Sequence, residues 1–170
     1  IWFCYNYGGC KLLSRLPKWS IYTLVGLLAI ASGLFIGVYT VYKHYVYWTA
    51  TFDFGIFLQM YHYMAETFEP LTTCERNELL SHFAVHFSPV YYLLLPFYYF
   101  FPSANTLLIA QAVLAVIGVI PLMLICRNRK FSNAETLCFG IIFLFCCGIV
   151  GPCFYDFHEN AFLPAILLWF

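Results

Sequence analysis

Charged residues are scarce in this chain of 170 residues. Lys, Arg, Asp and Glu together occupy 9% of the positions, against roughly a quarter in an ordinary soluble domain, whereas hydrophobic residues occupy 63%. The eight basic and eight acidic residues give a formal net charge of zero, so the chain lacks the basic footprint of a nucleic-acid-binding protein. This composition excludes a soluble globular domain and predicts a protein embedded in a lipid bilayer.

The chain also lacks a secretory cleavage signal and a disulfide framework. Its first apolar run is too long for a signal peptide, and no clear small-residue cleavage site follows it. Four of the eight cysteines lie in or beside apolar runs and are interpreted as small hydrophobic residues of the helices: Cys126, Cys138, Cys146 and Cys147. Cys4 and Cys10 match no usual zinc spacing, and a disulfide between Cys74 and Cys153 is left as an alternative. Because the chain begins without Met and ends inside an apolar run, we expect a fragment of a larger membrane protein.

Long apolar stretches occupy residues 19–42, 104–126 and 134–150, and Glu135, near the start of the third, is their one charged side chain. A bilayer core of about 30 Å requires about 20 helical residues, and each stretch has that length or nearly so. Each is therefore predicted to cross the membrane, and residues 161–170 are predicted to begin a fourth crossing. Ser132 and Glu135 have the spacing of a capping box and are predicted to start the third helix.

The apolar segment 89–101 has only 13 residues, which as a straight helix would cover about 20 Å. We interpret it as an interfacial or re-entrant segment. Six of the eight basic residues then fall on the cytoplasmic side, whereas a crossing would place five of the eight outside, against the positive-inside rule. Residues 1–18 are thus predicted to be cytoplasmic, and the loop 43–103 and the turn 151–160 to be outside with seven of the eight acidic residues.

Asp53 begins the first group of candidate functional residues. The segment after it, 56–66, is amphipathic at helical spacing, with Gln59 on its polar side, and is predicted to be a helix along the membrane surface. Asp53 has two interpretations: it caps this helix, or it is a partly desolvated carboxylate that acts as a general base or a metal ligand.

His82 and His86 form the second group. Their spacing of four places both imidazoles on one face of a helical turn, which suits a metal ion. Hydrogen-bonded anchoring at the membrane interface is the simpler alternative.

The sequence Tyr155-Asp-Phe-His-Glu-Asn160 forms the third group, between two apolar runs. Ionisable residues at membrane depth usually face a cavity or a partner, although helix capping is an alternative here. The predicted topology places these residues on the same side as the first two groups. A cluster of carboxylates and imidazoles on one face could bind a divalent metal, bind a phosphate through that metal, and supply a base.

Four motifs, in this order, carry a resemblance to a bacterial membrane protein family of unknown function (domain of unknown function 2079). They are Phe52-Asp-Phe-Gly-Ile-Phe-Leu-Gln59, His82-Phe with His86-Phe-Ser-Pro89, Leu107-Leu-Ile-Ala-Gln111, and Asp156-Phe-His158. The resemblance covers residues 51–170. The family in turn is similar to the GT-C glycosyltransferases, which use lipid-linked sugar donors at the outer membrane face.

This resemblance implies an all-α, polytopic transmembrane protein, here an N-terminal fragment of a GT-C-like fold with interfacial helices in the first outer loop. It implies an inverting glycosyltransferase of the cell membrane, with a polyprenyl-phosphate sugar as donor and lipid as a partner. Asp53 matches the catalytic carboxylate by position, and Glu159 or Asp156 the later acidic site. The histidines are not general GT-C features, so their roles are inferred from the chemistry of the residues. We predict substrate-binding roles for Arg76, His82, Gln59 and Glu159, and a divalent metal ion at His86, Asp156 and His158.

A transporter and a non-catalytic module that binds a lipid or a partner are the competing interpretations. Transporters usually place polar residues near the bilayer midplane, whereas the centres of these apolar runs are almost purely apolar, with Gln111 as the main exception. The sequence therefore favours chemistry at the membrane surface.

Overall fold

The computed structural model describes residues 8–49 and 51–170, and Cys4 lies outside them. The described residues form an all-α polytopic membrane protein. Its helices are Gly8–Arg15 (α1), Lys18–Tyr45 (α2), Thr51–Thr67 (α3), Leu95–Phe100 (α4), Ala104–Ile117 (α5), Val119–Asn128 (α6), Asn133–Phe145 (α7), Cys147–Tyr155 (α8) and Leu163–Leu167 (α9). Short 3-10 helices occupy His82–Ala84, Pro89–Leu93 and Glu159–Ala161, and the strands Leu71–Thr72 (β1) and Leu80–Ser81 (β2) pair antiparallel.

The three predicted crossings are confirmed as helices long and apolar enough to span a membrane. They extend over Lys18–Tyr45, Ala104–Asn128 and Asn133–Tyr155. The second is interrupted at Gly118, whose backbone stays in the right-handed helical region. The third is interrupted at Cys146, where the backbone becomes extended. The third is longer than predicted, because α8 continues the helical path to Tyr155.

The spanning helices alternate in direction, so one end of the bundle collects the end of α2, the start of α5 and the end of α8. We call this the acidic end, because residues 53, 156 and 159 lie beside it. The opposite end is closed by the predicted capping box, which is confirmed: the Ser132 hydroxyl accepts from the Glu135 amide, and the Glu135 carboxylate accepts from the Ser132 amide.

Small residues let the spanning helices approach closely, as is usual in membranes. A Cβ at Gly33 of α2 would lie 3.1 Å from Val116 of α5, and a Cβ at Gly140 of α7 only 2.8 Å from Val25 of α2. Side-chain volume at these positions therefore sets how closely α2 packs against α5 and α7.

The loop 43–103 folds against the acidic end. Helix α3 begins at Thr51, earlier than predicted, so Asp53 lies in its first turn and not before it. The predicted apolar face of α3 is confirmed as buried: Ile56, Phe57, Met60, Tyr61 and Met64.

The segment 89–101 forms a 3-10 turn and the six-residue helix α4, which is too short to cross a bilayer. It buries Tyr91, Leu94, Leu95 and Tyr98 against α3 and the neighbouring helices and exposes the aromatic side chains between them.

The disulfide considered between Cys74 and Cys153 is not formed, since both residues are free thiols.

Candidate functional site

Asp53 meets the end of α8 at the acidic end. The Tyr155 hydroxyl donates a hydrogen bond to Asp53 Oδ2 at 3.1 Å. Lys43 in the last turn of α2 fixes the same place, because its Nζ donates to the carbonyl oxygens of Phe154 at 2.9 Å and Tyr155 at 2.5 Å. Free carbonyl groups at a helix C-terminus carry partial negative charge, so a lysine is well suited to hold them. Asp53, predicted to be catalytic, thus has a fixed neighbour on another helix.

Glu159 is the most densely hydrogen-bonded carboxylate of this end. Its Oε1 accepts from the Ser88 hydroxyl at 3.2 Å, and its Oε2 accepts from the Tyr91 hydroxyl and from His158 Nδ1, the latter at 2.9 Å. Burial acts to raise the pKa of Glu159. The hydrogen bonds from His158 and Tyr91 outweigh that effect and lower the pKa to about 2.

His158 is the counterpart of Glu159 and lies at the N-terminus of the last 3-10 turn. Its side chain is about one-third exposed, and its ring meets the edge of Phe57 with centroids 5.7 Å apart. The hydrogen bond to Glu159 raises the pKa of His158, burial opposes that shift, and the charges of Glu159, Asp53 and Asp156 add to it. The structure thus brings Asp53, Asp156 and Glu159 within electrostatic reach of His158.

Gln111 holds the turn that carries these groups. Its Nε2 donates to the main-chain oxygen of Asp156 at 3.0 Å, and its Oε1 accepts from the His158 amide at 2.8 Å. The side chain is fully buried in α5. The sequence marks Gln111 as a polar exception in an apolar span and as the end of one motif, but it does not indicate that Gln111 binds the turn after α8.

Asp156, predicted to be a metal ligand, is buried, and its Oδ1 accepts from the Phe157 amide at 2.8 Å. This local bond has the form of a turn-stabilising Asp contact.

The buried pair Glu75–His82 forms a second carboxylate–imidazole contact. His82 is 2% exposed, and its Nδ1 lies 3.1 Å from Glu75 Oε1. The His82 ring packs against Phe57 and Tyr91, and its Nε2 has no hydrogen-bond partner among the described residues. Glu75 was missed from the sequence, because nothing in the spacing of residues 75 and 82 indicates that they meet.

The remaining predicted site residues lie farther out in the loop. The ring of the exposed His86 lies beside that of His82, with centroids 5.8 Å apart and the ring planes inclined by 47°. The Gln59 amide is occupied by residues 72–74, accepting from the Thr72 hydroxyl and the Thr73 amide, each at 2.9 Å. Arg76 is exposed in the turn between β1 and β2.

No three His, Cys, Asp or Glu side chains within residues 8–49 and 51–170 are arranged to hold a metal ion. The metal role predicted for His86, Asp156 and His158 stays a prediction, and we assign no chemical step to a metal.

A family model described as a predicted membrane protein (DUF2079) matches residues 43–170. The matched range includes Asp53, the two carboxylate–imidazole pairs and Gln111. No curated protein and no solved structure matches the chain.

Proposed function

The chain belongs to this family of predicted membrane proteins (DUF2079), and from that premise we propose that it is a membrane glycosyltransferase. The proposed reaction moves a sugar from a polyprenyl-phosphate donor to an acceptor hydroxyl at the extracytoplasmic face. The description of the family names no activity, so the proposal depends on the geometry of the site.

One observation carries the proposal: Asp53 lies beside the Glu159–His158 pair at the end of the bundle where the short loop helices collect. A transferase of this kind needs a carboxylate at the membrane boundary to orient and deprotonate the acceptor hydroxyl. Inversion then follows from attack of the hydroxyl oxygen on the anomeric carbon, opposite the departing phosphate. The exposed Arg76 and the buried His82 are the proposed partners of the donor phosphate.

An apolar groove between α2 and α5 supports a lipid-linked donor. Its volume is about 900 Å³, and small residues of α2 such as Gly33 and Gly37 form its floor with Ala112 of α5. Tyr42 and Tyr45 lie at its border toward the acidic end. A hydrocarbon chain of the donor fits such a surface, which offers almost no polar atoms.

The distribution of buried polar residues supports surface chemistry over transport. Within the described spans, Thr40 lies near the end of α2, Gln111 in the first half of α5, and Thr136 at the start of α7. The centres of the spans stay apolar, unlike the midplane sites of transporters.

The test is transfer of labelled sugar by the full-length protein in liposomes that contain polyprenyl-phosphate-linked sugars. We expect Asp53→Asn to lower the transfer rate by about a hundredfold or more, because the acceptor hydroxyl loses the carboxylate that orients it for deprotonation. Glu66→Gln is the matched control: this carboxylate lies on the same helix but is exposed, and among the described residues it pairs only with His62. Full activity of Asp53→Asn would remove the mechanism. A detergent thermal-unfolding measurement on both variants separates loss of chemistry from loss of folding.

A further inference from the structure

Glu159 has little capacity left for a substrate. Both of its oxygens accept hydrogen bonds from protein groups: Oε1 from Ser88, and Oε2 from Tyr91 and His158. Ser88 and Tyr91 belong to the loop 43–103, whereas His158 belongs to the same turn as Glu159. The carboxylate therefore joins this turn to the loop. This arrangement argues against the substrate-binding role that the sequence suggested and for a role in holding its neighbours.

His158 is the neighbour that is oriented. Its Nδ1 lies 2.9 Å from Glu159 Oε2 and is also placed to accept a hydrogen bond from the Asn160 amide at 3.4 Å. One nitrogen cannot donate and accept at once, and the shorter contact, to a carboxylate, is the stronger one, so it places the ring proton on Nδ1. The other ring nitrogen, Nε2, makes no hydrogen bond to a described residue, and the ring is partly open to solvent.

We propose that His158 contacts the acceptor hydroxyl of the substrate through Nε2 and that Glu159 is its positioning residue. This inference rests on the proposed function and divides between two side chains the role that the family resemblance gives to Asp53 alone. Asp53, held by Tyr155, orients the hydroxyl by accepting a hydrogen bond. A carboxylate that fixes the tautomer of an imidazole and stabilises its cation is a recurring device of nucleophile activation.

The step balances without a further reactant. The hydroxyl proton passes to His158 Nε2 while a lone pair of the hydroxyl oxygen forms the bond to the anomeric carbon. The bond from that carbon to the phosphate oxygen breaks, and its electron pair leaves with the polyprenyl phosphate. His158 becomes an imidazolium whose Nδ1 lies 2.9 Å from Glu159 Oε2, and the carboxylate stabilises that cation. In this assignment His158 is not a metal ligand.

Positioning is tested without any activity by nuclear magnetic resonance of the full-length protein carrying ¹⁵N-labelled histidine. The His158 signals are identified by their loss in His158→Gln. We expect the wild-type ring to carry its proton on Nδ1, and Glu159→Gln to even out the two tautomers. Ser88→Ala removes only one weak contact to Glu159 and should leave the ring as in the wild type. An unchanged His158 spectrum in Glu159→Gln would overturn the positioning role.

The contact with substrate is tested by transfer from a polyprenyl-phosphate-linked sugar. We expect His158→Gln to lower kcat about a hundredfold with KM for the donor within about threefold, and Glu159→Gln to lower kcat about tenfold. Glu159→Asp should restore part of that loss, whereas a merely structural role would not distinguish Asp from Gln. Wild-type kcat in His158→Gln would overturn the inference. If the wild-type protein transfers no sugar, the proposed function fails and the substrate contact with it, while the resonance experiment decides the positioning of His158 separately.

Discussion

The Tyr155 hydroxyl lies 3.1 Å from Asp53 Oδ2, joining residues that are 102 positions apart in the chain. Tyr155 is the last residue of α8, and Asp53 lies in the first turn of α3. Lys43 binds the carbonyl oxygen of the same tyrosine, so three segments meet at this point. The orientation of the Asp53 carboxylate therefore depends on the packing of the whole acidic end.

Tyr155→Phe removes the hydroxyl that holds Asp53. We expect the transfer rate to fall about threefold to tenfold, because one such hydrogen bond contributes about 0.5–1.5 kcal/mol. The free energy of unfolding should change little, since the tyrosine is 59% exposed. Initial rates and thermal unfolding on the same preparation check both parts, and an unaltered rate would show that Tyr155 does not position Asp53.

Gly140→Ala is expected to weaken the packing of α7 on α2. The added Cβ would lie 2.8 and 2.9 Å from the two Cγ atoms of Val25, and a helical valine has little rotamer freedom with which to withdraw. Overpacking of this kind costs about 1–3 kcal/mol, measurable as a lower unfolding midpoint. Gly26→Ala is the matched control, because a Cβ there meets nothing within 4 Å. The double variant with Val25→Ala should recover the loss, and equal stability of Gly140→Ala and Gly26→Ala would contradict this account.

Lys43→Met tests the fastening of α8 to α2. The lysine makes two hydrogen bonds to carbonyl oxygens, and hydrogen bonds to charged groups contribute about 1.5–3 kcal/mol each. We expect a lower unfolding midpoint together with reduced transfer, since Tyr155 would lose its support. Lys18→Met is the comparison at the opposite end, where the ammonium group makes one exposed bond to Phe131. That variant should lose less stability and leave transfer unchanged.

Acid should destabilise the turn that carries Glu159. The pKa of this carboxyl is lowered in the folded protein from its ordinary 4.5 to about 2, after burial is outweighed by the bonds from His158 and Tyr91. A lowered pKa contributes stability that is fully present above about pH 4.5 and is lost as the pH falls toward 2. Unfolding midpoints measured across this window should therefore fall less steeply in Glu159→Gln than in the wild type or in Glu66→Gln. Parallel curves for all three proteins would show that Glu159 carries no such linkage.

The predicted topology is tested by labelling with a membrane-impermeant maleimide. Arg129→Cys should stay unlabelled in intact cells, whereas Glu78→Cys in the exposed turn before β2 should react. Because the chain has native thiols, the labelled positions are read by mass spectrometry of the peptides. Labelling at position 129 from outside would show that the protein has the opposite orientation. The proposed site would then lie on the cytoplasmic side.

Much of the fold could be predicted because it depends on local properties of the chain. The three spans could be predicted because each apolar run has about the length needed to cross a bilayer. The start of α7 could be predicted from the capping-box spacing of Ser132 and Glu135. The burial of Met60, Tyr61 and Met64 followed from helical periodicity. The start of α3 did not follow from periodicity. Asp53 was therefore predicted to precede the helix, whereas it lies in its first turn.

The composition of the chain was enough to predict a membrane protein. The sequence also singled out Asp53, His82, His158 and Glu159, because ionisable side chains near a bilayer carry a desolvation cost. Which of these side chains are in contact depends on the tertiary structure. Glu159 pairs with His158 and Tyr91, and His82 pairs with Glu75, because α3 and the 3-10 turn at residues 89–93 pack on the ends of the spanning helices. Partners of this kind are set by the packing of distant segments, and a pairing across 68 residues leaves no periodic mark in the sequence.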